Sequence, residues 1–101
     1  MALVSIGNFS LKPGEHKCLS LNGKKFSLSN IQGKYYCIDN ECTHANGPLC
    51  EGTLDGSNII CPWHGSIFDH RTGKVLDGPA SDPVNTYKVT EKNGELFIEL
   101  I

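Results

Sequence analysis

The sequence predicts a single all-β domain of 101 residues, built as an antiparallel sandwich or small barrel. Three observations predict it. Short segments alternate apolar and polar residues with period 2. Glycine-containing turns separate them at short intervals. No stretch carries a long amphipathic pattern of period 3.6, so no major helix is expected.

Taken in order, "KKFSLSN" (24–30) alternates Phe26 and Leu28 with polar neighbours. "KYYCID" (34–39) and "NIICP" (58–62) are short apolar runs. "NTYKVT" (85–90) pairs Tyr87 with Val89, and "GELFIEL" (94–100) alternates Leu96, Ile98 and Leu100 with Phe97 and Glu99. Between such segments lie "LNGK", "IQGK", "LDGS", "RTGK" and "KNGE", each a hairpin signal. From about residue 40 to 66 two loops interrupt the strand rhythm. The first carries Gly47 and Pro48, the second Pro62 and Gly65. Loops held on a β scaffold are where chemistry is expected.

Composition narrows the function. Apolar residues make up 39% and charged residues 20%, an ordinary globular balance. A net charge of −2 gives no reason to expect a nucleic-acid partner. The N-terminus lacks the charged region and apolar run of a secretory signal, and no window is long and apolar enough to span a bilayer. The reading is a soluble cytoplasmic protein with no membrane contact. Five cysteines, Cys18, Cys37, Cys42, Cys50 and Cys61, fit poorly with a complete disulfide framework in a reducing compartment. Cys18 and Cys37 are expected as buried thiols, Cys50 as an unpartnered thiol, and His16 and His70 as surface residues.

The chemistry concentrates in "CTHANGPLC" (42–50) and "CPWHG" (61–65). Cys42-x-His44 and Cys61-x-x-His64 place one thiolate and one imidazole on each loop. Four such ligands can close one tetrahedral site or hold a binuclear one. Structural zinc sites usually pair like ligands at wider spacing. A plant-type four-cysteine cluster needs intervals this chain does not supply. A Cys–His nucleophile would leave the second pair unexplained.

"CTH…CPWHGS" resembles the Rieske iron–sulfur motif. "KYYCIDNECTH" resembles the strand entering the first cluster loop, and "GPASDPVNTYKV" the proline-bearing loop that closes over the cluster in that family. The resemblance covers residues from about 26 to 100. It implies a Rieske-like antiparallel fold with an inserted cluster-binding subdomain of two loops, in a single domain over 1–101. It implies one 2Fe–2S cluster, with Cys42 and Cys61 on one iron and His44 and His64 on the other. Gly47, Trp63, Gly65, Ser66, Phe68 and Pro79 would form the cluster environment. Glycine lets backbone N–H groups approach the sulfides, and prolines stiffen the loops. Trp63 stands as either a docking aromatic or a shield over the cluster.

Two departures from the high-potential members of the family matter. Those members staple their two loops with a disulfide, whereas Trp63 and Gly47 occupy the matching places here, so no loop disulfide is expected. They also direct a Ser and a Tyr hydroxyl at the cluster. Ser66 matches the first, but Phe68 replaces the second. The potential is therefore expected toward the lower part of the range of about −150 to +300 mV. The resemblance implies a ferredoxin rather than an enzyme: a monomeric carrier taking one electron from a reductase, flavin-containing, and passing it to the terminal oxygenase of a dioxygenase system. A small Rieske subunit of a nitrite-reductase-type complex and a structural zinc module are the alternatives. Between residues 35 and 65 stand Asp39, Glu41, Glu51 and Asp55 without any Lys or Arg, which suggests a basic partner surface.

Overall fold

The computed structural model describes residues 2–8, 10–63 and 65–100. Among the described residues eleven strands form three antiparallel sheets, the all-β class that the sequence predicts. The first sheet joins β1 (Ala2–Asn8), β11 (Glu95–Leu100) and β10 (Val89–Lys92). The second orders β2 (His16–Leu21), β3 (Lys24–Ile31), β4 (Lys34–Asp39) and β9 (Thr86–Tyr87). The third is built from β5 (Thr53–Asp55), β6 (Asn58–Ile60), β7 (Ile67–Asp69) and β8 (Val75–Asp77). A 3₁₀ turn spans Leu49–Glu51.

All five Gly-containing signals are hairpin turns, joining β2–β3, β3–β4, β5–β6, β7–β8 and β10–β11. At Asn22-Gly23, Gln32-Gly33 and Asn93-Gly94 both central residues have positive φ. That is the geometry whose twist suits a two-residue hairpin.

Two apolar cores stack on either side of the second sheet. Phe26, Leu28 and Cys37 point one way, into a basal core with Leu19, Leu96 and Ile98. Ile38, the neighbour of Cys37, points the other way, into a core shared with Cys42, Leu49, Ile59, Cys61, Phe68, Ala80 and Val84. Strand alternation thus sends one residue set to each core. It also changes the reading of "KKFSLSN". Ser27 and Ser29, the polar neighbours, do not face water but are fully buried.

Their partner is His70, placed on the surface by the sequence reading. His70 follows β7 and is fully buried. Its Nε2 lies 3.0 Å from Ser27 Oγ and its Nδ1 lies 3.0 Å from Ser29 Oγ. Period 2 puts two hydroxyls on one face of β3, where one imidazole with a hydrogen bond at each nitrogen bridges them. The clasp ties the third sheet to the second. Burial pushes the His70 pKa down to about 4, so the ring is neutral and can donate from one nitrogen and accept at the other. His16 is half-buried rather than fully exposed, and burial lowers its pKa too, against a raising contact with the Gly52 backbone.

The cysteines supply a second correction. Cys18 is exposed on β2 and bonded to Cys50 of the 3₁₀ turn across 32 residues of sequence. Neither is the thiol the sequence reading expected. Packing the turn beneath β2 brings the two Cα atoms to 4.8 Å, well inside bridging range. Cys37 is buried and free, as expected, and desolvation raises its pKa to about 12. No helix among the described residues is long and apolar enough to cross a membrane.

Candidate metal centre

Two hairpin-like loops carry the Cys–His pairs, and they are built alike. In the first, the Cys42 N–H donates to Gly47 O at 2.9 Å and the Asn46 N–H donates to Cys42 O at 2.8 Å. In the second, the Cys61 N–H donates to Ser66 O at 2.8 Å and the Gly65 N–H donates to Cys61 O at 3.1 Å. Each cysteine therefore opens a six-residue loop closed by the same two bonds. The fifth residue of each loop has positive φ: Asn46 at 59° and Gly65 at 79°. Asn and Gly are the residues that accept this region at least cost. The different Cys–His spacings hide this likeness in the sequence.

The loops meet at their cysteine ends. Cys42 and Cys61 are both buried and outside any disulfide, in one core with Phe68 against the same cluster of side chains. Gly47 is buried against the second loop. A Cβ on it would stand 2.6 Å from Cys61 Sγ and 3.3 Å from the Trp63 ring. Glycine is thus required here by contact, not by φ. Trp63 packs its ring on Gly47 yet is 57% exposed, so it both covers the loop and presents an aromatic surface. His44 is exposed at the tip of the first loop. His64 lies outside the described residues. Among the described residues no three His, Cys, Asp or Glu side chains converge as a single-ion site.

A third loop closes over the other two. It begins at the cis Gly78–Pro79 bond, with Pro79 exposed and Ala80 buried. Ser66 Oγ accepts from the Ala80 N–H at 3.0 Å, and Thr43 Oγ1 donates to Asp82 O at 2.6 Å. One bond reaches each cysteine loop. Ser66 is fully buried, and its own hydroxyl hydrogen remains to be donated. Phe68 is fully buried on β7 and offers no hydroxyl.

The base of the first loop is fixed by charge. Asp39 ends β4 and receives the Tyr87 hydroxyl at 2.6 Å, while Lys24 Nζ lies 3.3 Å from the same carboxylate oxygen. Asp39 is therefore not one of the open acidic charges that the sequence counts.

Comparison with known proteins decides what this arrangement is. The family described as "Rieske [2Fe-2S] domain" matches residues 4–88. The chain belongs to the Rieske [2Fe–2S] family. It is 41% identical over 75 residues to the 3-phenylpropionate/cinnamic acid dioxygenase ferredoxin subunit of Escherichia coli (strain K12), covering 73% of this chain and 71% of that protein. It is 37% identical over 82 residues to the ferredoxin component of the naphthalene 1,2-dioxygenase system of Pseudomonas putida, covering 81% and 79%. Among solved structures, a complex of reduced oxygenase and oxidized ferredoxin in carbazole 1,9a-dioxygenase contains a chain that superposes with a TM-score of 0.89 at 28% identity, covering 96% of this chain and 92% of that one. This Rieske chain is a ferredoxin of the ring-hydroxylating dioxygenase type, an electron carrier. Its cofactor is one 2Fe–2S cluster held by two cysteines and two histidines. That sets aside the zinc module.

The residues present fit such a group. Two buried thiols, Cys42 and Cys61, share one core without being bonded to each other, and the lack of a side chain at Gly47 keeps Cys61 Sγ clear of a contact that any Cβ would make. The two cysteine loops are not stapled to each other, as expected; the disulfide that does exist leaves the first loop for β2.

Proposed function

We propose that Cys42 and Cys61 bind one iron through their thiolates and that His44 and His64 bind the other through imidazole nitrogens. The matched bonding of the two cysteine loops, meeting at Gly47 and Cys61, carries this reading. When bound, the cluster supplies a one-electron couple. The chain's own part is to hold, shield and tune it.

Cys42 and Cys61 would hold their iron as thiolates, which favour the ferric state, and His44 and His64 would hold theirs as neutral imidazoles, which leave it easier to reduce; with only two anionic ligands the cluster would supply a couple of low overall charge. Buried backbone and hydroxyl donors favour the more negative form. Ser66 is positioned as one such donor: the Ala80 N–H occupies its oxygen, leaving its hydrogen to point elsewhere. Phe68 replaces a second donor with an apolar ring, which keeps the potential toward the lower part of the Rieske range. The core around Phe68, Ile59 and Leu49 excludes water on the protein side. On the other side His44 and Trp63 lie at the surface, so the histidine end is the exit for the electron.

The carrier takes its electron from a reductase, flavin-containing, and delivers it to a terminal oxygenase. It acts as a soluble cytoplasmic monomer. Known structures place a related ferredoxin in complex with its oxygenase, which supports the second half of this path. The deciding measurement is elemental: iron and acid-labile sulfide at about two each per chain, with a reddish-brown chromophore bleached by one electron. Replacing His44 or His64 by cysteine should keep iron but lower the potential, because each thiolate adds a negative charge. A colourless protein with one zinc would overturn the assignment.

A further inference from the structure

The disulfide has no part in the electron path, yet it is fastened to the first cysteine loop. Asn40 enters that loop and the 3₁₀ turn leaves it. The Leu49 N–H donates to Asn40 O at 2.7 Å, and the Cys50 N–H donates to Asn40 Oδ1 at 2.9 Å. Glu41 and Pro48 form a bridge across the same neck. Cys50 is therefore part of the collar that closes the loop bearing Cys42 and His44. The disulfide joins this collar to β2.

The two bonded residues differ in exposure. Cys50 is 6% exposed, whereas Cys18 is an exposed residue on a strand at the edge of its sheet. Exchange requires a thiolate to reach a disulfide sulfur, so access selects which sulfur is attacked. Cys37 is the internal contrast: it is buried, unbonded and held protonated.

We propose that the Cys18–Cys50 disulfide is a thiol–disulfide exchange site whose reduction loosens the collar of the first cysteine loop, the substrate being a dithiol reductant. One thiolate of the dithiol attacks Cys18 Sγ, forming a mixed disulfide and expelling Cys50 as a thiolate. The second thiol of the reductant then closes on its own partner and releases Cys18. The protein disulfide gains two electrons and two protons, and the dithiol becomes a disulfide. Cys42 and Cys61 take no part. The consequence for cluster retention rests on the ligand assignment above; the exchange itself does not.

The test uses the loaded protein under anaerobic conditions with dithiothreitol as the dithiol. Alkylation followed by peptide mass spectrometry should find label on Cys18 and Cys50, not on Cys37, while the chromophore persists. Iron release to a chelator should then speed up by at least about threefold. A variant carrying Cys18→Ser and Cys50→Ser should release iron at the fast rate without dithiothreitol and show no further acceleration with it. Unlabelled Cys18 and Cys50 in the folded protein would overturn the proposal. So would equal release rates with and without dithiothreitol, or an equal acceleration in the double variant. A protein lacking iron and sulfide would count against the ligand assignment alone, since labelling reports the exchange in either state.

Discussion

Gly47 faces Cys61 so closely that no side chain fits between them: a Cβ there would stand 2.6 Å from the sulfur. A flexible side chain could turn aside. Under the proposed assignment Cys61 Sγ is fixed to iron and cannot, so the strain falls on the loop. Gly47→Ala should therefore lower cluster content, with an overpacking cost of about 1–3 kcal/mol. Gly65→Ala is the control. Gly65 has φ of 79° but open space around its Cβ position, so its cost is backbone strain of about 1 kcal/mol, without a clash on sulfur. Iron and sulfide per chain, measured for both variants, check this. Equal occupancy in the two would show that the Gly47 contact does not matter.

The His70 clasp predicts an acid weakness. The ring has a folded pKa of about 4, against about 6.5 in the unfolded chain. The unfolded state therefore binds more protons between these values, and stability must fall as pH drops through that window. The full effect is on the order of 3 kcal/mol, complete near pH 4. His70→Asn should be less stable at neutral pH, but its stability should fall less steeply from about pH 6.5 to 4. Denaturant unfolding at several pH values measures both. An unchanged slope would mean that the clasp opens before it titrates.

The same clasp shows where sequence reading ended. The hairpins were legible because Asn-Gly and Gln-Gly turns announce themselves locally, and the five strand segments because period 2 is local too. The remaining strands are mostly three-residue pieces or, like β1 and β2, lack a clean apolar alternation. The two-sided burial of β3 was not legible. "FSLS" has the pattern of a strand with one wet face, and only a third sheet packed on the serines reveals otherwise. The Cys–His motif was visible because its ligands lie on two short stretches. The disulfide was not, because Cys18 and Cys50 meet only through the tertiary seating of the 3₁₀ turn. Nor was the common bonding of the two cysteine loops, which resides in backbone geometry rather than residue identity.

Ser66 Oγ accepts the Ala80 N–H, which leaves its hydroxyl hydrogen to donate elsewhere, to the cluster under the proposed assignment. Ser66→Ala should lower the reduction potential by roughly 50–100 mV, the one-electron equivalent of about 1–2 kcal/mol. It should also cost stability of about 1–3 kcal/mol, because a buried N–H loses its partner. Redox titration separates the two effects. A loss of stability with no change in potential would make Ser66 a strut for the proline loop and nothing more.

Docking should respond to salt, but through fewer charges than the sequence counts. Glu41, Glu51 and Asp55 are exposed in the stretch that carries the first cysteine loop and β5, whereas Asp39 is held by Lys24 and Tyr87. Reduction adds another negative charge to the cluster. A basic partner surface would then be approached under attraction, and salt would screen it over a Debye length of about 8–10 Å. Electron transfer to the oxygenase should slow severalfold between about 10 and 150 mM ionic strength. Glu41→Gln should flatten that dependence, since Glu41 stands immediately before Cys42. Asp39→Asn should leave the salt dependence nearly as it was and instead reduce stability, because Lys24 and the Tyr87 hydroxyl lose their common acceptor. Stopped-flow rates across ionic strength distinguish the two variants. If both flatten the dependence equally, Asp39 is an open charge in solution and the Lys24 pairing does not neutralise it.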